Sequence, residues 1–388
     1  MARALRIAVA FAPHEPYLRH ALRGVADFAA QAGGWELLVP YQLVGWPQLT
    51  EGVPLDMRGA DGYLTSEAVI RFKQVRTSGP VVVLGQMRHP PGPTIAADYR
   101  QAGRMVAEAF IARGFRSLAF FGGWAHRQPM NLSHRLEGFH DRARQAGLSV
   151  VAYPWPPWTP RTKLPATWKL LENLGHWLLG LPRPCGLLAA TPACGPACLA
   201  VCKQVALAVP DDISICCGGD DEVLLTSNRP RLSAVRFDGY RLGYRAAEAL
   251  ARLLRGRPAA NEWIEPLGIV HRQTTQQRAA TDPVVRSALA VMTTHVGDQL
   301  TVEDLLDHLR VSRSTLQRRF SEELGTTPAR EIQVARVNKA RQCLLIQRMT
   351  LAQAAQESGY PCQSAMSRAF KAATGLTPLE YRRHFGLT

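Results

Sequence analysis

Near its carboxyl end the chain reads VSRSTLQRRF (311–320), with Arg313, Arg318 and Arg319 around Ser314 and no acid until Glu322. Guanidinium forks match phosphate oxygens and the guanine edge, and an amide such as Gln317 can pair with adenine. A second stretch of the same kind, QSAMSRAFK (363–371), carries Gln363, Ser364, Ser367, Arg368 and Lys371. Cations, amides and hydroxyls without a Cys-His-Asp arrangement, a catalytic glycine loop or metal-ligand spacing point to recognition of a polyanion rather than to catalysis.

The elements that must present these residues are helices. In 300–325 Thr301 and Asp304 make a capping-box start, Asp being shorter than the usual Glu. Leu305, Leu306 and Leu309 form an apolar stripe, the chain turns near Arg310, and Ser312 caps a second helix whose inner face is Leu316 and Phe320. Residues 350–371 repeat the plan, with Leu351, Ala354 and Ala355, a turn at Gly359, the cap position Cys362, and an inner face of Met366 and Phe370. Between them 328–347 reads as one helix opened by Pro328. At about 1.5 Å per residue it spans roughly 30 Å, near the ~34 Å turn of B-DNA, so two helix-turn-helix units can address successive major grooves. Arg313, Ser314, Gln317 and Arg318, and in the second unit Gln363, Ser364, Ser367 and Arg368, are expected to face bases. Arg319, Lys371 and Arg382 are expected to meet phosphates. With Ala365 and Met366 in its core, the second unit is expected to read DNA more weakly.

The stretch GYPCQSAMSRAFKAATGLTPLEYRR (359–383) resembles the signature of AraC-type transcription regulators through Gly359, Tyr360, Ser364, Arg368, Phe370, Lys371, Gly375, Thr377, Pro378, Tyr381 and Arg382. It departs where Ala365-Met366 replace a Tyr-Phe pair, at Cys362, and at Arg310, where glycine is common. The resemblance implies sequence-specific binding of double-stranded DNA at a promoter or operator, a homodimer, and RNA polymerase as a further partner if the protein activates.

The rest of the chain is of another texture. The formal charge of +15 favours anionic partners, but from Asp282 onward 14 Arg or Lys face 10 Asp or Glu, +4 in all, which leaves +11 on the first 281 residues. Bulk charge therefore does not locate the site. Apolar runs at 5–11, 80–85, 117–123, 185–191 and 213–219 read as buried parallel strands, and 102–114 and 135–147 as helices stopped by glycine. This alternation gives a two-lobed α/β domain over 1–270, the polar stretch 271–283 a linker, and 284–388 an all-α domain.

Residues 96–123, the helix around RLEGF (135–139) and VPDDISICCGGDDE (209–222) resemble the sensor domain of LacI-type regulators and periplasmic sugar-binding proteins. The resemblance implies a small polyhydroxylated effector, a sugar such as a pentose, held between the lobes by Arg135 and Asp220, with Asp98, Tyr17 and Arg19 beside them. After the strand at 185–191 such sensors carry Asp or Asn, and here Pro192 stands, so xylose itself is expected to bind weakly. Cys194, Cys198 and Cys202 share one helical face, but a span of about 12 Å exceeds one metal site, and core packing is expected. Eight cysteines in 388 residues do not make a disulfide framework. Without a secretory leader or an apolar run of membrane length the expected location is cytoplasmic. No cofactor, metal or enzyme activity is expected. The rival readings are a sugar-binding protein with a helical assembly tail, and a regulator that senses a non-sugar or redox signal.

Overall fold

The computed structural model describes residues 3–11, 16–39, 59–66, 79–123, 130–154, 167–276, 280, 282–345 and 349–385. The apolar runs become strands because their residues are buried on both faces of parallel sheets. In chain order the first sheet comprises β1 (Leu5–Ala10), β2 (Trp35–Leu38), β3 (Gly62–Ser66), β4 (Val81–Leu84), β5 (Thr94–Ala97) and β11 (Glu262–Ile264), laid out as β11-β5-β4-β3-β1-β2. The second comprises β6 (Ser117–Phe121), β7 (Val150–Ala152), β8 (Cys185–Ala189), β9 (Ile213–Cys217), β10 (Ser233–Arg236) and β12 (Gly268–Val270), laid out as β12-β10-β9-β8-β6-β7. Among the described residues only β12 runs antiparallel to its neighbour, β10.

Helices α1 (Pro16–Ala32) and α7 (Gly239–Leu254) cover the first sheet, their Val25, Leu242 and Ala246 joining its core. The second lobe carries α2 (Tyr99–Ile111), α3 (Met130–Gln145), α4 (Thr167–Leu179), α5 (Cys194–Gln204) and the short α6 (Glu222–Thr226). The α2–α3 crossing is closed by Gly103, where a Cβ would lie 2.1 Å from the Arg135 carbonyl oxygen, and this fixes the height of Arg135 in the lobe. The chain crosses between lobes after β5, after β10 and between β11 and β12. The carboxyl ends of β5 and β10 thus lead into the crossings, and ligands of open α/β sheets lie at such ends.

Residues 271–276 of the stretch read as linker pack into the second lobe, and 277–279 and 281 lie outside the described residues. Thr274 donates to the Ile215 carbonyl at 2.6 Å, Ser214 donates to the Thr274 carbonyl at 2.7 Å, and Arg272 is 1% exposed. These polar side chains bond to groups inside the protein rather than to water.

The carboxyl-terminal domain is helical: α8 (Pro283–Thr294), α9 (Val302–Leu309), α10 (Arg313–Leu324), α11 (Pro328–Leu345), α12 (Leu351–Glu357), α13 (Gln363–Thr374) and α14 (Pro378–Phe385). Two separate cores form, one around Leu305, Leu316 and Phe320 and the other around Ala354, Met366 and Phe370, with α11 contributing to both. Arg336 of α11 joins the two units, donating to the Leu300 carbonyl at 3.1 Å with its guanidinium 5.8 Å from the Tyr360 ring centroid.

Candidate DNA-reading helices and effector cleft

Each recognition helix follows a capped helix. Thr301 and Asp304 make both bonds of a capping box, the shorter acid sufficing, and Thr350 and Gln353 make another. Arg310 takes the left-handed conformation at the first turn (φ 54°), and Ser312 caps α10 by accepting from the Thr315 N–H at 3.2 Å. On α10, Arg313, Ser314, Gln317 and Arg318 are exposed while Leu316 and Phe320 are fully buried. On α13, Gln363, Ser364, Arg368 and Lys371 are exposed and Ser367 is half-buried. The α11 connector of 18 residues spans about 27 Å at about 1.5 Å per residue.

Two of the arginines expected on phosphates are engaged elsewhere. Arg319 donates to both oxygens of Asp282, the cap of α8, at 2.9 and 3.2 Å, and so fastens the start of the domain to α10. Arg382 donates to the Met349 carbonyl and holds α14 to the turn before α12. Both sit on the flanks of their helices, where protein acceptors compete with any phosphate. Arg313 pairs with Glu303, and Arg318 with Glu322 at 2.9 Å. Cys362 occupies the cap position of α13 but makes no capping bond to its backbone. Its exposed thiol is held below the usual range, chiefly by the Ser364 hydroxyl 3.1 Å away.

In the sensor domain Arg135 is buried, with its guanidinium 4.2 Å from the Tyr99 ring centroid and 6.0 Å from that of Phe237. Phe237 meets Tyr17 edge-on at 5.9 Å and Tyr99 at 5.4 Å. Tyr17 belongs to the first lobe, Tyr99 and Phe237 to the crossings, and Arg135 to the second lobe, so this cluster sits where the lobes meet. The Tyr17 hydroxyl is buried without a hydrogen-bond partner among the described residues. Burial pushes its pKa well up, and the nearby Tyr99 and Asp238 add to the effect.

Asp98 stands at the first crossing and caps α2, accepting from the Gln101 N–H at 2.8 Å. Arg19 is exposed and takes no part. Two residues beyond Tyr17 on a helix, at about 100° per residue, it points to the other side. Asp220 is committed differently from the expectation: Oδ1 accepts from Arg272 at 2.9 Å, and Oδ2 from Arg236 at 3.0 and 3.2 Å. It anchors a buried ion triad that ties the loop after β9 to the segment leading out of the lobe.

Sequence reasoning passed over Tyr99, Phe237, Gln86 and His134. His134 bonds the Gln86 side chain, which joins the second lobe to the loop after β4. Their signal was position, since each lies beside a strand end or beside Arg135. Cys194, Cys198 and Cys202 line the second-lobe core, where burial pushes the Cys202 thiol up to about 12.

The fold and these two sites define a class: a transcription regulator that joins a periplasmic-binding-protein-like domain to an AraC-type helix-turn-helix domain. Residues 107–275 match the model of the periplasmic binding protein-like domain, and 305–384 that of a helix-turn-helix domain. Over its whole length the chain is homologous to the xylose operon regulatory protein of Escherichia coli K12, with 27% identity over 97% of this chain and 96% of the relative. A solved structure of a xylose-binding transcription activator superposes with a TM-score of 0.65 at 26% identity, covering 100% of both chains. A putative AraC-like transcription regulator of Streptomyces lividans is 40% identical over 26% of this chain and 34% of its own. Among the described residues no helix is long and apolar enough to cross a membrane.

Proposed function

We propose that the protein binds operator DNA through α10 and α13 and that a small polyhydroxylated ligand, a sugar of pentose size, controls this binding from the cleft between the lobes. The observation that carries the reading is the cluster of buried Arg135 with half-buried Tyr17 and Tyr99 at the lobe crossings, in the same chain as two recognition helices on one connector. Tyr17 offers a hydroxyl without a partner among the described residues, and Arg135 a charged planar fork beside it, groups that suit the hydroxyls of a sugar. Asp98 lies within the same rim, and Asp220 holds the loop after β9 through its arginines.

In this reading Arg313, Ser314, Gln317 and Arg318 read one groove, Gln363, Ser364, Ser367 and Arg368 read the next, and Lys371 meets a phosphate. The sensor occupies 1–270 with its packed extension to 276, and the DNA-binding domain begins at Asp282. The protein acts in the cytoplasm as a homodimer, and RNA polymerase is its partner at promoters that it activates.

The test has two arms. Binding to random duplex DNA, followed by fluorescence anisotropy across salt concentrations, should require residues 282–388. A thermal-shift screen of the full chain against pentoses, hexoses and sugar alcohols should find a stabilising ligand whose effect disappears in Arg135→Ala. DNA binding that survives deletion of 282–388, or a screen in which no carbohydrate stabilises the chain, would refute the reading.

A further inference from the structure

The two helix-turn-helix units are joined at two places. One is α11, which gives Ile332 to the first core and Val337, Ala340 and Leu344 to the second. The other lies off this connector, where the short turn Val296–Asp298, between α8 and α9, packs on the turn that follows α12. Glycine on each side lets backbone meet backbone there. A Cβ on Gly297 would lie 3.2 Å from the Glu357 carbonyl oxygen, and one on Gly359 only 2.2 Å from that of Val296. Arg336 stands on α11 at the border of the two cores and closes this junction. It donates to the Leu300 carbonyl at 3.1 Å in the first unit, and its guanidinium lies 5.8 Å from the Tyr360 ring centroid in the second. Leu300 and Tyr360 are both buried, one in each core. The Arg336 Nε is 3.4 Å from the place a Gly359 Cβ would take.

Arg336 is half-buried and makes no ion pair among the described residues, so its charge is costly to desolvate. A charge-assisted bond to one unit and a cation–π contact with the other offset that cost only while the units keep this mutual orientation. The connector fixes how far apart α10 and α13 stand. A second contact beside it fixes how one unit is turned against the other. B-DNA advances about 3.4 Å and turns about 34° with each base pair. Units held at one distance and one angle therefore seat both recognition helices only when the two half-sites are one set distance apart. We propose that Arg336 is a positioning residue that makes the spacing of the half-sites a determinant of specificity, without itself contacting DNA. The inference rests on the reading of α10 and α13 as two DNA readers and adds what their junction selects.

The experiment is in vitro selection from random duplex DNA by the full chain, by Arg336→Met, which keeps the stem without charge or donors, and by Arg336→Lys, which keeps the charge. The native chain should enrich two boxes at a single spacing. One base pair inserted between them should weaken binding about 10-fold or more in anisotropy titrations, the scale of a lost base-pair contact. Arg336→Met should enrich the same two boxes at two or more spacings and cut the insertion penalty to about 3-fold or less, with an unchanged salt slope. Arg336→Lys should restore most of the native penalty, and Arg336→Gln replaces the Met variant should that one melt early. A native site with one box or with two at scattered distances, or a single spacing and full penalty kept in the variant, would overturn the inference. So would an altered base preference within a box, or a salt slope lowered by about one unit, since either makes Arg336 a DNA contact. These outcomes leave the DNA-binding reading intact. Failure of the native chain to enrich any duplex overturns both.

Discussion

In the first helix-turn-helix unit Leu316 and Phe320 are fully buried, and in the second Met366 and Phe370 are buried to the same degree. The smaller residues of the second unit do not open its core, because Met fills irregular space and hydrophobic swaps of similar volume are tolerated. The units differ instead at their turns, caps and charges. Nine residues after its capping threonine the first unit has Arg310 in the left-handed region, and the second has Gly359. Ser312 makes its capping bond and Cys362 makes none. The arginines of α10 face carboxylates of their own unit, Glu303 and Glu322, whereas no ion pair is seen for Arg368 or Lys371 of α13 among the described residues. Two copies of one motif can thus share an interior while the ends of their helices diverge.

The largest expected break of this comparison is Gly359→Ala. A Cβ there would lie 2.2 Å from the Val296 carbonyl oxygen at a φ of 72°. Left-handed strain and overpacking together should cost about 3 kcal/mol of stability in urea titration. Arg318→Ala comes next, with a loss of about 1–3 kcal/mol of discrimination at one or two base pairs and an unchanged melting temperature. Arg368→Ala should lose less, since the uncapped start of α13 holds its reading face less firmly. Equal losses from the two variants, or equal footprints in both grooves, would remove the asymmetry.

Arg382→Ala should lower stability by about 1–2 kcal/mol, because the Met349 carbonyl loses its donor, and should leave the salt dependence of DNA binding unchanged. Lys371→Ala should do the reverse, reducing the salt slope by about one unit with no loss of stability. Arg310→Gly should add about 1 kcal/mol to the first unit by relieving the left-handed turn. Cys362→Ser should add about 1 kcal/mol to the second by supplying the missing cap. Both are measured by urea titration, and a gain in only one unit would show which edge limits the domain. The smallest effect belongs to Glu322→Gln, which releases Arg318 from an exposed pair worth about 0.5 kcal/mol and should tighten DNA binding slightly in anisotropy titrations.

Much of this could be read along the chain, since local physics sets it. Apolar runs such as 213–219 specify a strand buried on both faces, and Thr301, Ser312 and Thr350 specify helix starts within three or four residues of themselves. The leucine and phenylalanine spacing of 305–320 fixes which face of α10 turns inward, and therefore that Arg313, Gln317 and Arg318 turn outward. What only the tertiary structure decided is which distant group each charge meets. Asp220 finds Arg272, 52 residues away, Arg319 finds Asp282 at 37, and Arg382 finds the Met349 carbonyl at 33. An isolated sequence offers each of these side chains to a phosphate, a sugar or a protein acceptor alike. Burial removes the competing water, and packing brings one acceptor within about 3 Å, where charge-assisted bonds are strong. The Tyr17 hydroxyl shows the converse: packing buried it beside Arg135 and gave it no partner among the described residues, and only the fold could reveal that vacancy.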